Sequence, residues 1–322
     1  MEVGYHSPVG PTVSTSSFHH EAVFYAGDNE FVERSRAFVD EGLERDEPVL
    51  VMVGLRKLEL LREALGTPAE DVHFADMEVV GRNPARIIPA WSRFVADHAA
   101  NGGGMRGIGE PIWAGRNPSE LSECQLHESL INLAFTAAKD FRLICPYDTS
   151  ALPEDVIAEA RRSHPVVSND GAENVSPDYC GIDKVAARFA EPLSEPPSDA
   201  EELTVTVGAL RDARRLVRAR AQEAGLGARS EDFVLAVNEV LSNSLNHARE
   251  NGTLRVWQGT DGLVCEVRDG GHINQPLVGR QEPEVGQLGG HGIWLVNLVC
   301  DLVQVRSSAH GSAVRMQMNR LA

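Results

Sequence analysis

Apolar residues fall along this chain in two rhythms. In the first half, short apolar runs at residues 49–53 and 141–145 have the length of strands buried on both faces, and further strands are read at 22–25 and 105–108. Between them, residues 30–43, 55–65, 85–99 and 119–137 repeat apolar side chains at helical spacing. Strands alternating with helices predict an α/β domain on a parallel sheet. The second half changes rhythm. A strand at 203–207 and an arginine-rich surface helix at 212–224 precede a helix whose apolar stripe is Phe233, Val234, Val237, Val240, Leu241, Ser244 and Leu245. Strands at 253–257 and 263–267 flank the turn signal Asp261-Gly262, and strands at 302–305 and 313–318 flank Ala309-His310-Gly311. This order predicts an α+β domain. Between the halves, residues 191–199 carry three prolines and no periodicity, the composition of an extended linker. The division expected is 18–186, a linker at 187–202, and 203–320.

The densest candidate chemistry lies in the second half. Glu239, Asn243 and His247 are spaced four apart, and each step of four turns a helix by only about 40°, so the three share one face. Polar groups at that spacing suit a magnesium nucleotide. An Asn amide oxygen is a hard donor that adds no negative charge beside a triphosphate, and Glu239 one turn earlier can orient or deprotonate an attacking group. Taken alone, the same pattern also describes a solvated helix face. Asp269-Gly270-Gly271 follows a strand end, where a carboxylate can accept a hydrogen bond from an exocyclic amine and glycine lets backbone approach a ring. Residues 272–289 then hold two prolines and three glycines, too irregular for a helix and suited to a lid. They lead to Gly290-His291-Gly292, directly before an apolar helix at 293–299, where free backbone N–H groups can face phosphates.

In order and spacing these motifs resemble the GHKL ATPase superfamily, and within it the anti-sigma factor serine/threonine kinases of bacterial partner-switching systems. The resemblance covers residues 200–320 and implies a two-layer α+β (Bergerat-type) ATPase domain. Carried over by position, it implies Asn243 as magnesium ligand, Glu239 as catalytic base, Asp269 and Gly271 at the adenine, Gly290, His291 and Gly292 at the phosphates, and His247 near the phosphate tail. ATP and Mg²⁺ are the implied cofactors. The implied partners are a sigma factor and its STAS-type antagonist, with a homodimer formed through this domain. One position departs from the family pattern: Ile273 stands where a second glycine is common.

In the first half, chemistry-bearing residues stand beside strand ends, where ligands collect in open α/β sheets. These are Phe18-His19-His20-Glu21, the run from Gly107 to Trp113 containing Glu110, and Cys145-Pro146-Tyr147-Asp148; His127-Glu128 lies on the helix between the last two. The three runs resemble the MEDS sensory domain, over residues 18–165, which implies a degenerate RecA-like or KaiC-like fold with a sensing role. His20, Glu110, Trp113, His127, Cys145 and Tyr147 are the ligand-sensing candidates. A small-molecule pocket is the leading reading. A metal held by His20, Glu110, His127 and Cys145 is chemically open, though no tight ligand spacing supports it. His73, in an apolar segment, is expected to be a hydrogen-bonded core histidine. Gly102-Gly103-Gly104 reads as a turn, and no P-loop motif is present.

Composition narrows the classes. A length of 322 residues fits two domains. A net charge of −17 disfavours direct nucleic-acid binding and favours a basic partner surface. Five scattered cysteines form no C-x-x-C pair, and the chain has neither an 18-residue apolar run nor a secretory N-terminus, so a cytoplasmic protein without membrane contact is expected. Three functions follow in descending order. The first is a signal-responsive kinase that phosphorylates Ser or Thr of the antagonist and thereby sequesters the sigma factor. The second is a noncatalytic regulator with a degenerate nucleotide site. The third is a sensor histidine kinase, disfavoured because the linker lacks a histidine and His164 precedes Pro165 at a helix end.

Overall fold

The computed structural model describes residues 18–99, 102–169, 171–247, 251–283 and 290–321. The first half is β1 (Phe18–Tyr25), α1 (Gly27–Glu44), β2 (Val49–Val53), α2 (Leu55–Leu65), β3 (Val72–Asp76), α3 (Met77–Val80), α4 (Ile87–His98), β4 (Met105–Gly109), α5 (Pro118–Ala134), β5 (Phe141–Asp148), α6 (Glu154–Ser163), β6 (Val166–Asn169), β7 (Ala172–Val175) and α7 (Asp183–Ala190). Its seven strands are ordered β3-β2-β4-β5-β1-β6-β7. All pairings are parallel except β6 with β7.

Two apolar layers sandwich this sheet. Phe31, Phe38 and Val39 of α1 and Leu58, Leu61 and Leu65 of α2 cover one face. Trp91 and Phe94 of α4 with Leu126, Leu130 and Ile131 of α5 cover the other. The alternation of strand side chains assigns each residue to a layer. Ala22, Phe24, Leu143, Cys145 and Tyr147 face α5, whereas Val23, Tyr25 and Ile144 face α1. His73 departs from expectation: β3 is an edge strand, and His73 is exposed there, edge-on to Phe94 and 5.5 Å from the ring of His98.

The second half is β8 (Glu201–Val205), α8 (Leu210–Glu223), α9 (Ser230–His247), β9 (Gly252–Gln258), β10 (Gly262–Asp269), α10 (His291–Val299), β11 (Leu302–Ser308) and β12 (Gly311–Asn319). The antiparallel sheet runs β11-β12-β10-β9-β8. Helices α8, α9 and α10 pack on one face, with Phe233, Val237 and Val296 against Leu254, Cys265 and Met316. Strand β8 ends earlier than its apolar run, because Thr206 caps a short 3₁₀ turn by accepting from Ala209 N, and Val207 is left exposed.

The halves share an interface. On α7, Val185 belongs to the first domain's core and Phe189 to the second's. Residues 191–200 form no helix or strand. They are nonetheless tied along the second sheet, where Leu193 is buried, Arg315 donates to the Ser194 carbonyl at 2.5 Å and Arg268 pairs with Glu195 at 3.0 Å. No described helix is long and apolar enough to cross a membrane.

Candidate nucleotide cleft and buried histidine cluster

Helix α9 begins at Ser230 with Glu231 and Asp232 in its first turn, where carboxylates complement the helix dipole. Its buried stripe, Phe233, Val234, Val237, Val240, Leu241 and Ser244, seats the helix on the sheet and turns the neighbouring polar positions toward a cleft. That cleft has a volume of about 380 Å³, within the range of small-molecule sites. Asn243, His247, Asp269, Gly271, Gly290 and Gly292 all line it. Glu239 is half-buried just outside; its carboxylate and the Asn243 amide both approach Gly292, at 3.5 and 2.9 Å from the point a Cβ would occupy there. His291 is exposed and lies outside the lining.

At one end of the cleft, Asp269 Oδ1 accepts from Gly271 N at 2.8 Å and from Ser312 Oγ at 2.9 Å. These bonds fix the carboxylate and leave Oδ2 to accept from a ligand amine. Ser244 Oγ is buried in the cleft wall without a hydrogen-bond partner, a cost that a bound polar ligand removes. At the other end, Gly290 begins α10 in the left-handed region, φ 82°, which glycine adopts without strain, and the first turn carries free backbone N–H groups. A base at Asp269 and phosphates at α10 beside Asn243 therefore fit the donor set. Ile273 also lines the cleft, its N–H donating to Ser307 Oγ at 2.8 Å. Ser244 and Ser312 had no sequence signal of their own, since Ser244 reads as part of the apolar stripe. Of residues 272–289, read above as suited to a lid, 284–289 lie outside the described residues.

The described part of that loop is held by the first domain. Leu277 packs against the first domain's core, while Ile273 and Val278 pack against the second's. Buried Arg280 pairs with Glu123 of α5 at 2.8 Å, and the other Glu123 oxygen takes Arg306 of β11 at 2.6 Å. Asn83 donates to the Asn297 carbonyl of α10 at 3.1 Å, and Asn297 in turn donates to the Gly279 carbonyl at 2.8 Å.

Inside the first domain the structure regroups the sensing candidates. His20 on β1 and Cys145 on β5 face the same side, with Sγ 3.4 Å from Nε2. Both meet Glu128 of α5, at 3.3 Å from His20 Nε2 and 3.6 Å from Sγ, and Tyr147 donates to its other oxygen at 3.2 Å. His164, the residue capping α6, completes the group with Nε2 at 3.4 Å from Glu128. Burial first, and then His164, push His20 down to about 4, so its ring is neutral at pH 7.

The quartet of His20, Glu110, His127 and Cys145 is therefore not a cluster. Glu110 faces the opposite layer, paired with Lys57 and accepting from Tyr25 at 2.8 Å, because Tyr25 and His20 lie on opposite faces of one strand. His127 is buried outside the cluster, pushed down to about 3 chiefly by burial, and its Nδ1 has no partner. Trp113 is half-buried under the Arg116 guanidinium, 3.8 Å from its ring centre. Glu128 and His164 were missed as ligating candidates. The sequence signal available was only their proximity to His127 and Pro165.

Comparison with known families returned two matches. Residues 19–165 match the MEDS model, the methanogen/methylotroph, DcmR sensory domain, and residues 203–318 match the histidine kinase-like ATPase domain. Among curated proteins, none matches the chain.

Proposed function

We propose, for a chain in which a MEDS sensory domain precedes a histidine kinase-like ATPase domain, a signal-responsive regulator of a sigma factor. In this reading the second domain binds ATP with Mg²⁺ and phosphorylates a Ser or Thr of a STAS-type antagonist. Loss of the antagonist's competition leaves the sigma factor sequestered. The observation that carries the reading is the cleft itself, which gathers Asn243, His247, Asp269, Gly271, Gly290 and Gly292 from three separate segments.

Bound ATP would supply the transferable phosphoryl group, with Mg²⁺ neutralising its charge. The protein's own contributions are distinct. Asp269, fixed by Gly271 N and Ser312, selects an amine-bearing base. Asn243 presents its amide oxygen for the magnesium ion, and Gly292 leaves room for that amide. Glu239, beside Asn243, accepts the proton of an attacking hydroxyl. The first domain acts on this site through Glu123 and Asn83, which hold the lid segment and α10. Binding in the sensory domain that favours one arrangement of these contacts shifts nucleotide affinity by its differential affinity alone.

A second reading, a regulator that captures its partner without phosphoryl transfer, draws on Ile273, whose side chain occupies cleft wall where the family has glycine. The histidine-kinase reading draws nothing from His164, which is wholly buried. Calorimetric titration of ATP with Mg²⁺ into nucleotide-free protein and into Asn243→Ala, followed by transfer assays with antagonist proteins, separates these. Binding lost in the variant, with transfer by the wild type, supports the kinase. Binding without transfer supports partner capture. Absence of binding to folded wild type overturns the nucleotide site.

A further inference from the structure

At His20, Glu128, Cys145 and His164, four side chains able to ligate a metal converge in the buried core of the first domain. His20 Nδ1 is 3.0 Å from Asn132 Oδ1, and the Asn132 amide nitrogen already donates to the carbonyls of Glu128 and Ser163, so Oδ1 accepts and Nδ1 carries the proton. His164 Nδ1 lies 2.8 Å from the Ala160 carbonyl, which can only accept. Both rings therefore turn Nε2 toward Glu128 Oε2, at 3.3 and 3.4 Å. His164 Nε2 is buried without a hydrogen-bond partner, a cost that a cation among the four donors removes. All four residues are at most 2% exposed.

Four of the six donor separations match a tetrahedron. With zinc bonds of about 2.0–2.1 Å to N or O and about 2.3 Å to S, donors at tetrahedral angles stand about 3.3 Å apart for N and O, and about 3.6 Å where sulfur is one of the pair. The N–O separations here are 3.3 and 3.4 Å, and the S–N and S–O separations are 3.4 and 3.6 Å. All four donor atoms lie within 4.8 Å of one another. Tethering Nδ1–H to a carbonyl oxygen is the arrangement that orients histidine ligands in metal sites. A thiolate and a carboxylate also cancel a divalent charge, so the filled site is neutral in its apolar surroundings.

We propose that His20, Glu128, Cys145 and His164 bind a divalent borderline cation, with zinc the best match, in a closed four-coordinate site. On binding, Cys145 gives up its thiol proton to solvent and the sulfur takes a metal bond in its place. The site links β1, β5, α5 and the end of α6. Because α5 also carries Glu123, occupancy sets the helix that grips Arg280 beside the cleft.

The test uses full-length, nucleotide-free protein stripped with a chelator and reloaded with Zn²⁺ or Co²⁺. One metal ion per chain is expected, with tetrahedral cobalt d–d bands and a thiolate-to-cobalt charge-transfer band. Cys145→Ser should lose the charge-transfer band, and His164→Gln should retain zinc at least about tenfold more weakly. Should either variant unfold, zinc-edge absorption on the wild type decides, with one sulfur expected in a four-coordinate shell. A reloaded wild type that holds no stoichiometric metal overturns the proposal. So does a shell lacking sulfur, or a charge-transfer band that survives Cys145→Ser and disappears in Cys180→Ala. No readout involves ATP, so the site stands or falls independently of the nucleotide cleft.

Discussion

Single glycines do more in this protein than punctuate turns. A Cβ on Gly292 would stand 2.9 Å from the Asn243 amide nitrogen, so a methyl group added there displaces that amide. Gly292→Ala is therefore expected to weaken ATP binding about tenfold, about 1.4 kcal/mol, while leaving thermal stability nearly unchanged. Calorimetry beside a thermal melt checks both halves of that statement. Gly290 behaves differently, since its φ of 82° opens α10 and an L side chain there is strained. Gly290→Ala should cost about 1–2 kcal/mol of stability, read by denaturant titration. The two neighbours thus separate ligand binding from backbone strain.

At the scale of the element, α5 explains why polar residues are buried so densely. Asn117 and Glu120 form a capping box and Pro118 opens the helix, so its start is fixed locally. Residues 123, 124 and 126–131 are then all buried, because α5 has the sheet on one side and the second domain and α7 on others. Glu123 sits between Arg280 and Arg306 with no exposure. Removing one partner of such a buried set leaves uncompensated charge, so Glu123→Ala should lower stability by about 3 kcal/mol and also alter ATP affinity. Leu130→Ala, which opens a cavity in the same helix's apolar contact, should cost about 2–5 kcal/mol without that change in affinity. Equal ATP affinities in the two variants would refute the coupling through Glu123.

At the scale of the whole molecule, α7 and the segment after it join the two cores. Phe189 enters the second core four residues after Val185 enters the first, which is the spacing of one helix face. Phe189→Ala is expected to cost about 3–5 kcal/mol and to release residues 191–199 from the second sheet. Limited proteolysis should then cut in that segment faster than in the wild type. An unchanged cutting rate, at a confirmed loss of stability, would show that Arg315 and Arg268 hold the segment by themselves.

The local elements were legible in the sequence because their signals are local. The strands at Val49–Val53 and Met105–Gly109, the helix at Leu55–Leu65 and the apolar stripe of α9 follow from periodicity within a few residues. The grouping of residues in the candidate nucleotide cleft was legible for a related reason. A four-residue repeat places Asn243 and His247 on one face, and glycine motifs mark the backbone that must approach a ligand closely. What the sequence could not determine depends on pairing across long separations. Strand β1 lies beside β5, with Phe18 opposite Phe141, and only that register puts His20 and Cys145 on one face while sending Tyr25 and Glu110 to the other. Packing of the second domain on α5 made Glu123 a buried anchor and His73 an exposed edge residue was left by the strand order. Periodicity reports which side chains leave water, and only the tertiary structure decides what they meet there.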